Sequence, residues 1–331
     1  MGQRTQRVEK QSEPLREEDV TNALMKLLKG ETKTVYFTNG HGEKKIDDTE
    51  RSGLSAARDA LAKENYVVKS VNLVTEGKIP DDASVLAIAG PASDPFPNEM
   101  EMAQGFLEKG GSVLIMVDPD PAPALADFLG KWSIKPGNNF VVDASGVGRL
   151  FGAGPTIPLV AAYGPHKITE RFNVMTFFPM ARSITPADPP ASGITVEKLL
   201  DTNERSWGET NLKANPASFD EKTDLKGPVT LAVVVNKDLG NNKKARLVVF
   251  GDSDFASNGF FQAQGNGNLF LNTINWLAQD ESFISIRPKA PEDRPITLTQ
   301  TQGKMSFYVS VVFFPLSILI AGISVWMKRR K

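Results

Sequence analysis

From Met305 to Met327 the chain carries no charged residue (MSFYVSVVFFPLSILIAGISVWM). This run constrains the protein more than any other feature. A helix of that length rises roughly 34 Å, enough to cross a hydrocarbon core of about 30 Å. Pro315 and Gly322 lie inside it, which membrane helices tolerate better than soluble ones. Tyr308 and Trp326 sit near its two ends, where aromatic rings favour the membrane interface. Lys328, Arg329, Arg330 and Lys331 follow at once, whereas residues 280–304 balance four acidic against four basic residues. The positive-inside rule therefore predicts a cytoplasmic tail, with residues 1–304 outside the cytoplasmic (inner) membrane. A buried core helix is the competing reading, and the length and basic stop argue against it.

The other end of the chain conflicts with that topology. MGQRTQRVEKQSEPLREED is polar and lacks the apolar stretch of a signal peptide. A large domain seldom crosses a membrane unaided ahead of one C-terminal helix. The expectation is an upstream membrane segment preceding these residues. A tail-anchored cytoplasmic domain would instead have to push four basic residues across the bilayer.

Of the 331 residues, 40% are apolar and 23% charged, enough to bury a core. Lys plus Arg (38) against Asp plus Glu (39) leaves a net charge of -1, which argues against a nucleic-acid partner. Cysteine is absent, which excludes disulfides, Cys-ligated metal and a thiol nucleophile. His41 and His166 are the only histidines, which excludes a multi-His metal centre. No metal and no cofactor are expected.

Residues 1–16 read as a polar lead-in and Glu17–Lys29 as a short helix closed by Gly30. Thr34–Thr38, Tyr66–Leu73, Val85–Ala89 and Val113–Val117 read as strands. Asp47 is a plausible N-cap for a helix running to about Asn65, and Asn98–Lys109 and Pro123–Trp132 read as further helices. VLIMV (113–117) has the continuous apolar pattern of a strand buried on both faces. Residues 137–227 are rich in Gly and Pro and weakly periodic, with Phe140–Asp143 a candidate strand, and read as an irregular insertion. Regularity returns with strands Val229–Val235 and Arg246–Phe250, helix Asn268–Ala278 and strand Phe283–Arg287. The α/β domain spans 17–288, a linker 289–304, the membrane helix 305–327 and the basic tail 328–331. Strands alternating with helices imply an open, mostly parallel sheet covered on both faces, Rossmann-like or flavodoxin-like in the broad sense.

Several residues could carry chemistry. Asp118 and Asp120 follow VLIMV, and Asp252 and Asp254 follow LVVFG. This resembles the start of haloacid-dehalogenase phosphatases, whose nucleophile ends a buried strand. The pattern breaks at Pro121, and the partner lysine and downstream acidic pair have no place; helix caps or Asx-turns explain the same carboxylates. A metal-dependent phosphoester hydrolase using Asp118 or Asp252 is the alternative function. The loop Asn39–Glu43 (NGHGE) places Gly40, His41, Gly42 and Glu43 after the first strand, where a loop can hold a ligand or simply turn tightly. His166 lies in the irregular region, and its approach to His41 is open. Residues 145–154 (SGVGRLFGAG) are glycine-rich but match neither GxGxxG nor GxxxxGK[ST], and no GxSxG occurs. Trp132, Trp207 and Trp276 would serve a carbohydrate-binding surface only if they met on one face.

Seven phrases occur together: TNALMKLLKGETKTVYFTNGHGE (21–43), GGSVLIMVDP (110–119), SWGET (206–210), DLKGPVTLAVVV (224–235), VVFGDSDFASNGFF (248–261), GNLFLNTINWLA (267–278) and the terminal helix with its basic tail. In order and spacing, from about residue 18 to the end, they resemble the GldG family, an auxiliary component of an ABC-type transport system linked to gliding motility. The resemblance implies a bacterial, extracytoplasmic domain held between membrane segments, with an ABC permease and a separate ATPase as partners. It carries over no catalytic residue. The domain is also similar in pattern to glutamine-amidotransferase-like folds, whose class I enzymes need a Cys nucleophile that this chain lacks. The function expected is thus a non-enzymatic, membrane-anchored accessory subunit. Its NGHGE and GDSDF loops would sit together at one sheet edge, with Gly40, His41, Gly42, Glu43, Asp118, Asp252 and Asp254 as candidates for contacting a partner or cargo.

Overall fold

The computed structural model describes residues 32–279, apart from 121, 171, 215 and 242, and residues 305–330, apart from 306. The expected helix Glu17–Lys29 and strand Phe283–Arg287 lie outside the described residues. The chain divides into two units, Met1–Ile286 and Arg287–Lys331, each taken by itself.

In the first unit the elements run β1 (Thr34–Thr38), α1 (Ser55–Lys63), β2 (Val67–Val71), α2 (Leu73–Glu76), β3 (Ala83–Ala89), α3 (Pro97–Glu108), β4 (Ser112–Met116) and α4 (Pro123–Lys131). Short strands follow: β5 (Ile134–Pro136), β6 (Phe140–Asp143), β7 (Leu159–Val160), β8 (Ala162–Tyr163), β9 (Thr176–Phe177) and β10 (Ile184–Pro186). Then come β11 (Ile194–Asp201), β12 (Ser206–Glu209), β13 (Leu225–Lys226), β14 (Thr230–Gly240), β15 (Lys243–Phe250) and α5 (Asn266–Leu277).

Eight strands form the main sheet in the order β2-β1-β3-β4-β15-β14-β11-β8. The first five are mutually parallel, while β14, β11 and β8 extend the sheet in antiparallel fashion. The alternation of side chains sorts two cores onto the two faces. Val35, Phe37, Val85, Ala87, Leu114 and Met116 point to the face covered by α1 and α5. Tyr36, Leu86, Ile88, Val113 and Ile115 point to the face covered by α2, α3 and α4. Five fully buried residues in β4 explain its unbroken apolar run.

Where the structure departs from the sequence reading, a distant contact decides. The helix expected from Asp47 begins at Ser55, because residues 48–53 turn back on themselves: Gly53 N–H donates to Glu50 O at 3.0 Å and Leu54 N–H to Lys45 O at 2.9 Å. Its N-terminus is capped by Asn258, whose Oδ1 accepts from Ala56 N–H at 2.8 Å. The strand expected to reach Leu73 stops at Val71, because Asn72 caps a one-turn helix through Thr75 N–H at 3.1 Å. The irregular stretch 137–227 supplies β11 and β8 to the main sheet. It also forms the sheet β13-β12-β6, the pair β7-β9, and β10, which pairs with β5. Its Val141, Ile168, Phe178 and Leu199 join the α1–α5 core.

In the second unit, Tyr308–Arg329 is a 22-residue helix long and apolar enough to cross a membrane. Its first part, Tyr308–Phe313, is a π-helix, and α6 (Phe314–Arg329) follows. The wider turn lies directly before Pro315, whose ring would crowd the preceding turn of a regular helix and whose backbone has no N–H to donate. Near the other end the Arg330 guanidinium lies 4.5 Å from the Trp326 ring centroid.

Candidate functional site

The parallel strands end together, and their order reverses direction between β1 and β3: β1 leads to β2 on one side, and β2 crosses to β3 on the other. Ligands of open α/β sheets bind in the crevice beyond the carboxyl ends of strands at such a point. A cleft of about 370 Å³ lies there, lined by residues that include Gly42, Glu43, Lys44, Gly90, Asp118 and Asp120. The NGHGE and GDSDF loops meet at this edge, joined by Lys44 Nζ donating to Asp254 Oδ1 at 2.6 Å.

His41 is buried rather than offered to the cleft. Its Nε2 lies 3.2 Å from Glu99 Oε2 and its Nδ1 3.9 Å from Glu43 Oε1. The ring meets Phe96 edge-on at 5.1 Å. Glu43 Oε2 also accepts from the His41 backbone N–H at 2.7 Å, and Glu99 Oε2 from Phe96 N–H at 2.9 Å. The His41 carbonyl accepts from Ser93 N–H at 2.9 Å. The imidazole thus ties the loop after β1 to the loop and helix after β3. Gly42 has φ +78, and a Cβ there would lie 2.9 Å from the Ala92 Cβ, so glycine permits this close approach. Gly40 also has positive φ, beside Asn72.

The carboxylates of Asp118, Asp252 and Asp254 have internal partners. Asp118 Oδ1 accepts from Ser253 N–H at 2.7 Å and Oδ2 from Ser253 Oγ–H at 2.6 Å. Burial raises its pKa, against the opposing pull of those two bonds and of Lys44. Asp252 is fully buried and accepts from Asp254 N–H at 2.9 Å and Phe255 N–H at 3.0 Å, capping the short turn Asp254–Ala256. Burial first, then the charges of Asp118 and Asp254, push its carboxyl well above the usual range. Both oxygens of Asp252 thus serve the backbone, and the side chain is buried away from the cleft lining. Asp118 remains on the cleft wall.

Three contributors escaped the sequence reading. Arg182, from the irregular stretch, donates from Nη1 to Asp118 O at 2.8 Å and Asp120 O at 3.1 Å, and from Nε to Gly137 O at 2.7 Å. It holds the post-β4 loop, and burial lowers its pKa. Ser253 lay inside a quoted motif without a role. Glu99 carried a readable signal, an acid in the first turn of α3. His166, by contrast, does not approach His41. It packs on Trp276 at 4.8 Å, near the end of α5, at the opposite edge of the sheet. The tryptophans do not share a surface: Trp132 is buried in one core and Trp276 in the other, while Trp207 stacks edge-on with Phe219 at 6.1 Å. Among the described residues, no group of three or more acidic or histidine side chains is arranged to hold a metal ion.

The N-terminal domain of mmIFT52 is similar in fold, with a TM-score of 0.55 at 17% identity, covering 74% of this chain and 97% of that one. Similar solved structures include ThuA-like proteins from Bacteroides uniformis (13% identity, 74% and 91% covered, TM-score 0.45) and Parabacteroides merdae (14%, 80% and 94%, 0.46). No curated protein matches the sequence. A family profile matches residues 32–279, the α/β domain with its cleft, and the chain belongs to that family, described as an ABC-type uncharacterized transport system, as an auxiliary component of ABC transport.

Proposed function

We propose that the protein is a non-catalytic, membrane-anchored accessory subunit whose α/β domain engages a partner or cargo through the cleft at the β1/β3 switch point. Family membership carries this reading, since an ABC transport system implies permease and ATPase partners in general. The chain's phrases support a GldG-type member, with the link to gliding motility that this resemblance implies. The strand order β2-β1-β3-β4-β15 supports a flavodoxin-like winding, with the cleft where such sheets take ligands. The internal pairing of His41, Asp118 and Asp252 favours recognition over catalysis: these groups hold loops in place. The apolar helix and basic tail support an anchor with the tail in the cytoplasm and the domain outside.

Co-purification in mild detergent tests the reading. The full chain should bring down a permease and an ATPase subunit; a solitary chain across several mild detergents contradicts it. Topology is tested separately with Ser192→Cys, an exposed loop position in a chain without cysteine. An impermeant thiol reagent should label it on cells with an intact inner membrane. Labelling only after lysis would place the domain in the cytoplasm.

A further inference from the structure

We propose that the edge of the sheet opposite the cleft is a docking surface for the anionic headgroups of phospholipids. A groove of about 290 Å³ lies there, lined by Lys109, Gly110, Lys243, Lys244, Arg246 and Gln279. Four of the six are cationic and none is acidic, in a chain whose net charge is -1. Lys109, Lys243 and Lys244 are exposed. Two carboxylates close by in sequence are turned to other work: Asp238 Oδ1 accepts from Gly240 N–H at 2.8 Å, and Glu108 Oε1 from Gln104 Nε2–H at 2.6 Å; Asp280 and Glu281 follow Gln279 in the chain. Arg246 is fixed against Trp276, its guanidinium 4.7 Å from the ring centroid.

Place in the fold selects the occupant. Lys109 and Gly110 precede β4 and Lys243 opens β15, so the groove lies where these parallel strands begin. The two ends of the described domain meet at the same edge, where the Lys33 ammonium donates to the Ala278 carbonyl. Gln279 lines the groove, and residues 280–307 connect it in sequence to Tyr308, the start of the apolar helix. Lysine and arginine clusters beside a membrane segment attract anionic lipid, each residue shifting binding about fivefold. The cleft edge, by contrast, is lined by Glu43, Asp48, Asp118 and Asp120 against Lys44 and Lys45. The two linings thus differ in charge, and the basic one includes Gln279, from which the chain runs on in sequence to the apolar helix.

The inference rests on the membrane-anchor reading, and its test separates the two. The full chain is reconstituted into discs of phosphatidylcholine alone and of phosphatidylcholine with phosphatidylglycerol, and hydrogen exchange is followed in the Lys237–Arg246 hairpin. Exchange should slow about fivefold in the anionic discs. That protection should disappear in Lys243→Glu/Lys244→Glu, in Lys109→Glu, and at high salt. Equal exchange in both discs, in a chain incorporated into both, overturns the surface and leaves the anchor intact. Protection by inorganic phosphate in neutral discs marks a soluble-anion site and overturns the lipid assignment. Failure to enter either disc overturns the anchor and the surface together.

Discussion

The two edges of the sheet solve the placement of charge in opposite ways. At the cleft edge several charged groups are buried and bound within the fold: His41 lies against Glu99, Asp252 caps a turn, and Arg182 grips two carbonyls. At the opposite edge Lys109, Lys243 and Lys244 are exposed. The first arrangement makes polar residues structural, so a substitution there should act on stability. The second leaves them dispensable for folding and available for association. Composition alone cannot separate these cases, because both edges are rich in charge. What separates them is whether a tertiary partner arrives from elsewhere in the chain.

The largest expected effect breaks the cleft edge from below. Phe255, the last residue of GDSDF, is fully buried, 4.7 Å from Phe250 and 5.3 Å from Phe178. Phe255→Ala should cost about 3–5 kcal/mol in chemical unfolding. Next is Asp252→Ala, which leaves two backbone N–H groups, that of Phe255 buried, without their acceptor and should cost about 1–3 kcal/mol. Asp252 also has a pH signature. Its folded pKa is raised, so the folded state holds this proton more tightly than the unfolded chain does. Stability from this group is complete below about pH 4 and is lost as pH rises through the folded pKa. Asp252→Asn should remove that decline, so unfolding curves of the two proteins should diverge from about pH 4 upward. Parallel curves would refute the assignment.

Gly90→Ala should cost about 1–3 kcal/mol. Gly90 has φ +60, and a Cβ there would lie 2.3 Å from Ser253 Oγ and 2.8 Å from Asp118 Oδ2. Lys44→Met should cost about 0.5–1 kcal/mol, because its ion pair with Asp254 is partly exposed. Lys243→Glu, at the other edge, should change stability by no more than about 0.5 kcal/mol. A larger loss there would erase the contrast between the two edges.

How much of this was legible in the sequence follows the same division between local and distant causes. Strands buried on both faces announce themselves, and Val113–Val117 and Phe140–Asp143 fall within a residue of observed strands. The strand expected over Arg246–Phe250 covers only the apolar half of β15, which begins at Lys243 in a polar hairpin. β11 went unread because ITVEKLLD alternates poorly: its pairing with β14 shifts register between Lys198 and Leu200 and again before Asp201. The start of α1 was misplaced because its cap, Asn258, comes from far along the chain. At the candidate site, the meeting of the NGHGE and GDSDF loops followed from their positions after β1 and β15. The partners that bury and fix them, Glu99, Arg182 and Ser253, did not, because nothing local marks an arginine as a strut between two loops.

Site-specific crosslinking distinguishes the two edges by what each touches in the cell. A photoreactive residue is placed at Ser52, an exposed position on the cleft, and in a second protein at Lys109 on the opposite edge, both in full-length chain in cells. Ser52 should crosslink to the permease subunit of an ABC system, and Lys109 to lipid and not to that subunit. Permease crosslinks from Lys109 with none from Ser52 would contradict this assignment.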